Sequence, residues 1–199
     1  MKKSLFKSKI QMVVYTFLTI ICIILFIVIG TTDFKKNSKN EALKFSNLYN
    51  LVSEDNLYVF SNATDILNIV NGKSGVILLG FPKNLWVNMY ASILNNTCKE
   101  VGIDKIYYYD FLQDRDESNA TYETIVQKLN MYVPMNDEGI QDLMAPTVII
   151  IKSGNVIGYF DEASIIKGNI NPDIYYTENE KGLIYNKFKT ALLEYIDKE

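Results

Sequence analysis

One stretch limits what this chain can fold into more than any other: from Ile10 to Gly30 it runs 21 residues without a charged side chain. Between Met12 and Ile29 it reads MVVYTFLTIICIILFIVI, and its only clearly polar side chains are Thr16 and Thr19. As a helix, at about 1.5 Å per residue, the stretch covers about 31 Å, the thickness of a bilayer's hydrocarbon core. A cleaved signal peptide has a shorter apolar region, about 7–15 residues, and ends in small residues. Here the apolar run is longer and leads into Gly30-Thr31-Thr32-Asp33-Phe34. Cys22 is not placed for lipid attachment, since Ile21 precedes it and seven apolar residues follow. An uncleaved membrane anchor over residues 10–30 is therefore expected, with the lipid bilayer as its partner. Lys2, Lys3, Lys7 and Lys9 lead it, so the basic tail 1–9 is expected in the cytoplasm and the body outside. Lys35, Lys36 and Lys39 on the far side oppose that orientation without reversing it. The expected location is the cell membrane, crossed once.

Beyond residue 30 stand sixteen basic against twenty-three acidic residues, a net charge of -7. A nucleic-acid binder needs a basic face to displace counterions, so nucleic acid is not an expected partner. The chain has no histidine and only two cysteines, Cys22 and Cys98. That removes imidazole bases, Ser-His-Asp and Cys-His nucleophiles, and His- or Cys-based zinc sites. No cofactor is expected either: Gly80-Phe81-Pro82 lacks the further glycines of a phosphate loop or dinucleotide fingerprint. Asp110, Asp114, Asp116 and Glu117, with Arg115 among them, do not have the alternate spacing of a calcium loop. They read as a solvated loop, Asn136 to Gly139 reads as a turn, and no metal site is assigned.

The hydrophobic pattern orders the rest. Residues 31–55 form a spacer and a leading helix, with a capping-box spacing at Ser38 to Glu41 and a stripe of Leu43, Phe45, Leu48 and Leu51. A strand at Leu57 to Phe60 precedes a helix from Ala63 to Asn71, closed by Gly72. Gly75 to Phe81 (GVILLGF) is a continuous apolar run, the mark of a strand buried on both faces. A long helix follows over Asn84 to Val101, then a strand at Lys105 to Phe111 and a helix over Ser118 to Tyr132. Thr147 to Lys152 and Asn155 to Phe160 form a hairpin through Ser153-Gly154. Residues 161–182 form an irregular insertion before a last helix over Asn179 to Asp197, with Leu183, Ile184, Phe188, Leu192, Leu193 and Ile196 inward. The expected class is α/β: one domain over 56–199, with a mostly parallel sheet, a C-terminal hairpin and helices on both faces.

This order, with two local signals, resembles the thioredoxin-like fold. The first signal is the buried strand running through Pro82 and Lys83 into a helix at Asn84-Leu85-Trp86-Val87; the second is Ala145-Pro146-Thr147 before an apolar strand and hairpin. The resemblance covers about residues 56–160 and the last helix. It is nearest in layout to membrane-anchored, extracytoplasmic members, including bacteriocin-transport accessory proteins. In that family the strand-to-helix turn carries a C-x-x-C redox pair and faces a cis-proline. Aligned on the motif, the two thiols fall on Asn84 and Val87. The helix N-terminus activates the first thiol in the family, and the second resolves the mixed disulfide. Neither an asparagine amide nor a valine can do so, and the acid that members often carry in the preceding strand is also missing.

The resemblance therefore implies a redox-inactive frame with no catalytic residue, which binds extended polypeptides or a partner membrane or secreted protein, in the setting of peptide export. The alternative is a thiol-disulfide oxidoreductase whose cysteines are replaced at Asn84 and Val87. Trp86, Ala145, Pro146 and Thr147 are the candidate peptide platform, with Trp86 on an exposed rim, where an added strand can pair with the proline loop. Trp86 can equally be an anchor of the helix against the sheet. The pair Tyr175-Tyr176, aromatic in an otherwise polar insertion, is a second candidate partner surface. Cys98 lies about 21 Å along the helix from Asn84, too far for an internal disulfide with that turn. It reads as a buried thiol or, alternatively, as an intermolecular disulfide. Asn62, Asn95 and Asn119 each begin an Asn-x-Thr sequon.

Overall fold

The computed structural model describes residues 12, 14–24, 38–82, 84–136, 138–162 and 170–197. The basic tail, the ends of the expected anchor, the residue 31–37 spacer, Lys83 and part of the insertion lie outside the described residues. The chain forms two compact units, Met1–Asn40 and Glu41–Glu199. In the first, residues 14–24 are helical. The two polar side chains there are satisfied locally: Thr16 Oγ1 donates to the Met12 carbonyl at 2.9 Å and Thr19 Oγ1 to the Tyr15 carbonyl at 2.6 Å. Among the described residues, no helix is long and apolar enough to cross a membrane.

The second unit is α/β. Its elements are α1 (residues 38–48, of which 41–48 belong to this unit), β1 (Tyr58–Phe60), α2 (Ala63–Val70), β2 (Gly75–Gly80), α3 (Leu85–Val101), β3 (Ile106–Asp110), α4 (Leu112–Asp116), α5 (Ala120–Lys128), β4 (Thr147–Lys152), β5 (Asn155–Asp161), α6 (Pro172–Tyr175) and α7 (Glu178–Ile196). Five strands form one sheet in the order β1-β3-β2-β4-β5. β1 and β2 both run parallel to β3, while β4 is antiparallel to β2 and to β5. The sheet is thus mixed and not mostly parallel as expected: the hairpin is antiparallel as the pattern predicts, but it joins the sheet through β4, which also runs antiparallel to β2. Ser153 and Gly154 at its tip both have positive φ, the twist that a two-residue hairpin turn requires.

Helices cover both faces. α2 packs beside α5, and Ile69 of α2 lies over Gly75 and Tyr107. On the other face α3 packs beside α7, with Val87 against Gly80 and Ala191 against Gly158. Every residue of β2 is buried, as a strand covered on both faces must be.

The leading helix turns a different face inward from the one its leucines suggest. Ala42, Phe45, Tyr49 and Val52 are buried, whereas Leu43, Leu48 and Leu51 are exposed. The buried set keeps the 3–4–3 spacing of one face and carries aromatic rings that fit the sheet, whereas the three leucines are spaced 5 and 3. Phe45 stacks on Tyr58 with centroids 3.8 Å apart and meets Tyr108 edge-on, and the Tyr49 and Tyr108 hydroxyls share a 2.8 Å hydrogen bond. Glu41 also departs from the capping-box role: its carboxylate accepts from the Phe60 N–H of edge strand β1 at 2.8 Å.

Three further expectations are corrected. The acidic stretch after β3 is not a plain loop but contains α4; Asp110 accepts from Leu112 N, and Asp114 accepts from the Tyr109 hydroxyl at 2.6 Å. The helix expected over Ser118 to Tyr132 is shorter, because Asn119 caps it at Thr121 and Tyr122 and it ends at Lys128. On α7, Leu183, Leu193 and Ile196 are exposed, and Ile184, Phe188, Ala191 and Leu192 bury instead. The inward stripe is narrow because α7 packs on one edge of the sheet, at β4 and β5, and on α3.

Candidate functional site

β2 ends at Gly80, where a Cβ would lie 2.9 Å from a Val87 methyl, so the strand passes directly under the first turn of α3. Val87 is fully buried there. Asn84 caps that helix: its Oδ1 accepts from Trp86 N at 2.9 Å. The same amide donates from Nδ2 to the Ala145 carbonyl at 2.8 Å. The Ala145–Pro146 peptide bond is cis. One side chain therefore joins the strand-to-helix turn to the proline loop 61 residues away. An amide can do this because it carries an acceptor and a donor on one planar group. Ala145, Pro146 and Thr147 are all buried, and Thr147 Oγ1 donates to the Met144 carbonyl at 2.8 Å.

Asn84→Ala removes both interactions, each worth about 1 kcal/mol, so a loss of about 2 kcal/mol is expected from urea unfolding of the full chain. Asn84→Ser keeps a cap but cannot reach Ala145, and should fall midway. Equal losses for serine and alanine would mean that the cap contributes nothing.

Trp86 does not stand on an exposed rim. It is only 7% exposed. Its ring lies 5.2 Å from that of Tyr175 and 5.5 Å from that of Tyr176, and the Tyr176 hydroxyl donates to the Trp86 carbonyl at 3.3 Å. The cause lies in the insertion. Asn171 accepts from Asp173 N at 2.9 Å and Pro172 opens α6, which brings the tyrosine pair down onto α3. The two surfaces taken as separate in sequence, Trp86 and Tyr175-Tyr176, are one aromatic cluster. Tyr176 is buried and Tyr175 is half-buried.

Beneath the cluster is a carboxyl group that the sequence pattern did not single out. Glu162 is only 6% exposed and accepts from the Tyr175 hydroxyl at 3.0 Å. Burial pushes its pKa up; the bond from Tyr175 and the charge of Lys187 pull it down, and Asp161 and Glu180 push it up. Its signal in sequence is position: Asp161-Glu162 closes β5, and Thr147 is the register partner of Asp161. That pairing carries Glu162 to the same end of the sheet as Pro146.

Other candidates resolve into structure. Cys98 is fully buried, and burial pushes its thiol far above the ordinary range, so the intermolecular disulfide is not accessible to the folded unit. Each sequon asparagine has a structural task. Asn62 forms a capping box with Asp65, Asn95 is buried and accepts from Leu57 N at 3.1 Å, and Asn119 caps α5.

Scanned against models of known protein families, the chain matches none, and it matches no curated protein sequence. The chemistry of the site therefore rests on its own residues. A capping amide, a buried valine and a proline loop can hold geometry and bind, but they supply neither a nucleophile nor a redox couple.

Proposed function

We propose that this chain is a single-pass membrane protein, its N-terminus cytoplasmic, that holds a thioredoxin-like domain outside the membrane. The domain has no dithiol chemistry and serves as a binding or accessory module for extended polypeptides, with peptide (bacteriocin) export as its setting. The strand order, parallel through β1, β3 and β2 and antiparallel through β4 and β5, supports the fold reading. One observation carries the loss of chemistry: the Asn84 amide fills the strand-to-helix turn and is bonded to the carbonyl that precedes Pro146. Exposed apolar side chains favour a protein partner. Leu85, next to Asn84, is 75% exposed, and Met131, Met135 and Ile140 stand out from the segment that leads to Pro146.

The retained frame also suits the second reading, an oxidoreductase with its cysteines replaced. A dithiol-driven disulfide-reduction assay on the full chain in detergent separates the two. No turnover above background is expected, and Asn84→Cys combined with Val87→Cys should introduce it. Turnover by the natural chain would overturn the redox-inactive reading. Saturable binding of a reduced, carboxymethylated polypeptide is expected in the same preparation; its absence would end the binding-module reading.

A further inference from the structure

The sheet ends on β5, and its outer edge carries backbone N–H and C=O groups that no described strand meets. The strand reads NVIGYFD, apolar and without the lysine or proline that commonly blunts an edge. α7 lies over β4 and β5 and runs opposite to β5. Ala191 sits against Gly158, and Lys152, the register partner of Asn155, donates to the Glu194 and Asp197 carbonyls near the end of α7. Tyr185 and Lys189 turn toward α3, where both donate to Glu100, at 2.7 and 2.6 Å. The opposite side of α7 therefore overhangs the open edge, and it carries Leu183, Lys187, Thr190 and Glu194, all exposed. With Ile157 and Phe160 of β5 they line a groove of about 500 Å³.

This side is complementary to itself. Lys187 and Glu194 stand two helical turns apart, one on each side of Thr190 and Ala191. A second copy, turned about a two-fold axis at the level of Gly158, lays its own α7 alongside in the reverse direction, so that each Lys187 meets Glu194 of the other copy. The spacing agrees as well. Paired strands lie about 4.8 Å apart, so a helix centred between β4 and β5 falls about 10 Å from its copy, the distance at which helices pack. The irregularity opposite Ile150 and Ile151 makes Ile157 an extra residue of β5; lying at the axis, it bends both strands alike. We propose that the β5 edge and the groove beside α7 form a homodimer interface, in which two copies pair antiparallel through β5 and exchange two Lys187–Glu194 ion pairs. A foreign strand could pair with the same edge, but a copy of this chain also brings the reversed order of charge and a matching Leu183 and Thr190. The interface goes beyond the polypeptide-binding reading and does not depend on it.

The full chain in detergent, with Cys22→Ser to remove its exposed thiol, tests the pairing; Cys98 is buried. Lys187→Cys and Glu194→Cys are prepared as separate chains. Mixed and oxidised, they should form a disulfide between chains, because positions 187 and 194 of opposite copies lie at one level. Each alone should not, since like positions then sit two turns apart, about 10 Å along the helix and beyond the roughly 7 Å that a disulfide spans. Charge reversal reads the same contact independently. Lys187→Glu and Glu194→Lys each set like charges together at two places, and each should weaken self-association about tenfold, measured by sedimentation over a range of concentrations. An equimolar mixture of these two variants should associate again as the natural chain does. Circular dichroism checks that every variant is folded. A natural chain that stays monomeric overturns the interface. So does a dimer that neither reversal weakens, or crosslinking as strong in either cysteine variant alone as in the mixture.

Discussion

Phe45→Ala should destabilise the domain by about 3–5 kcal/mol, the range for deleting a fully buried aromatic side chain. Phe45 has no exposed surface, and it is the ring around which the leading helix is fastened to the sheet. It touches Tyr49, Tyr58, Phe60 and Tyr108, with centroids between 3.8 and 6.2 Å. Alanine would leave a cavity bordered by tyrosines, including the buried Tyr49–Tyr108 hydroxyl pair. Domains of this kind have total stabilities of about 5–15 kcal/mol, so the variant should be partly unfolded at modest urea concentration. Phe45→Leu keeps most of the apolar volume and loses the ring–ring contacts, worth roughly 0.5–1.5 kcal/mol per pair beyond area burial; it should fall between the two. Urea unfolding followed by far-ultraviolet circular dichroism measures both. A loss below about 1 kcal/mol for alanine, the size of an average substitution, would mean that α1 is not part of the cooperative unit.

Trp86→Ala is expected to cost a similar amount, again about 3–5 kcal/mol, and its effect should spread differently. Trp86 is buried between α3 and the tyrosine pair. Removing the indole takes the packing partner from the rings of Tyr175 and Tyr176, so residues 171–176 should loosen before the sheet does. Chymotrypsin, which cleaves after aromatic residues, should then cut the folded variant at Tyr175 or Tyr176 and leave the natural chain intact there. Trp86→Phe retains a ring and should cost less on both measures. A Trp86→Ala protein as stable as the natural one, with residues 171–176 still protected, would show that the cluster contributes no packing.

These two residues also mark where sequence reading works and where it stops. Phe45 was visible as part of a helical stripe, and its neighbours were not. Residues 42, 45, 49 and 52 keep the 3–4–3 spacing of one helix face, but Leu43, Leu48 and Leu51, spaced 5 and 3, are the more conspicuously apolar set. The choice between them depends on which set meets Tyr58 and Tyr108, strand residues separated from the helix by turns of sequence. Trp86 was visible as a residue at the first turn of α3, but its exposure was set by Tyr175 and Tyr176, about ninety residues later. No local pattern records a contact of that range. Glu162 gives no local signal for the same reason: an acid after a strand is ordinarily solvated, whereas in the fold this one is buried and accepts from the Tyr175 hydroxyl.

Sequence by itself determined the elements whose causes are local. The uniform apolar run made β2 a strand with two covered faces; Asn84 is a cap because its amide sits beside free N–H groups; Ser153-Gly154 turns because both residues adopt positive φ. It also determined that positions 84 and 87 carry an amide and a methyl-bearing side chain, since residue identity does not depend on folding. The tertiary structure alone decided what covers what. It joined Asn84 to Ala145 across 61 residues, merged two supposed surfaces into one cluster, and took a carboxyl group out of water. Burial and long-range hydrogen bonds are properties of the assembled layers, and they exist only once strands and helices distant in the chain have packed.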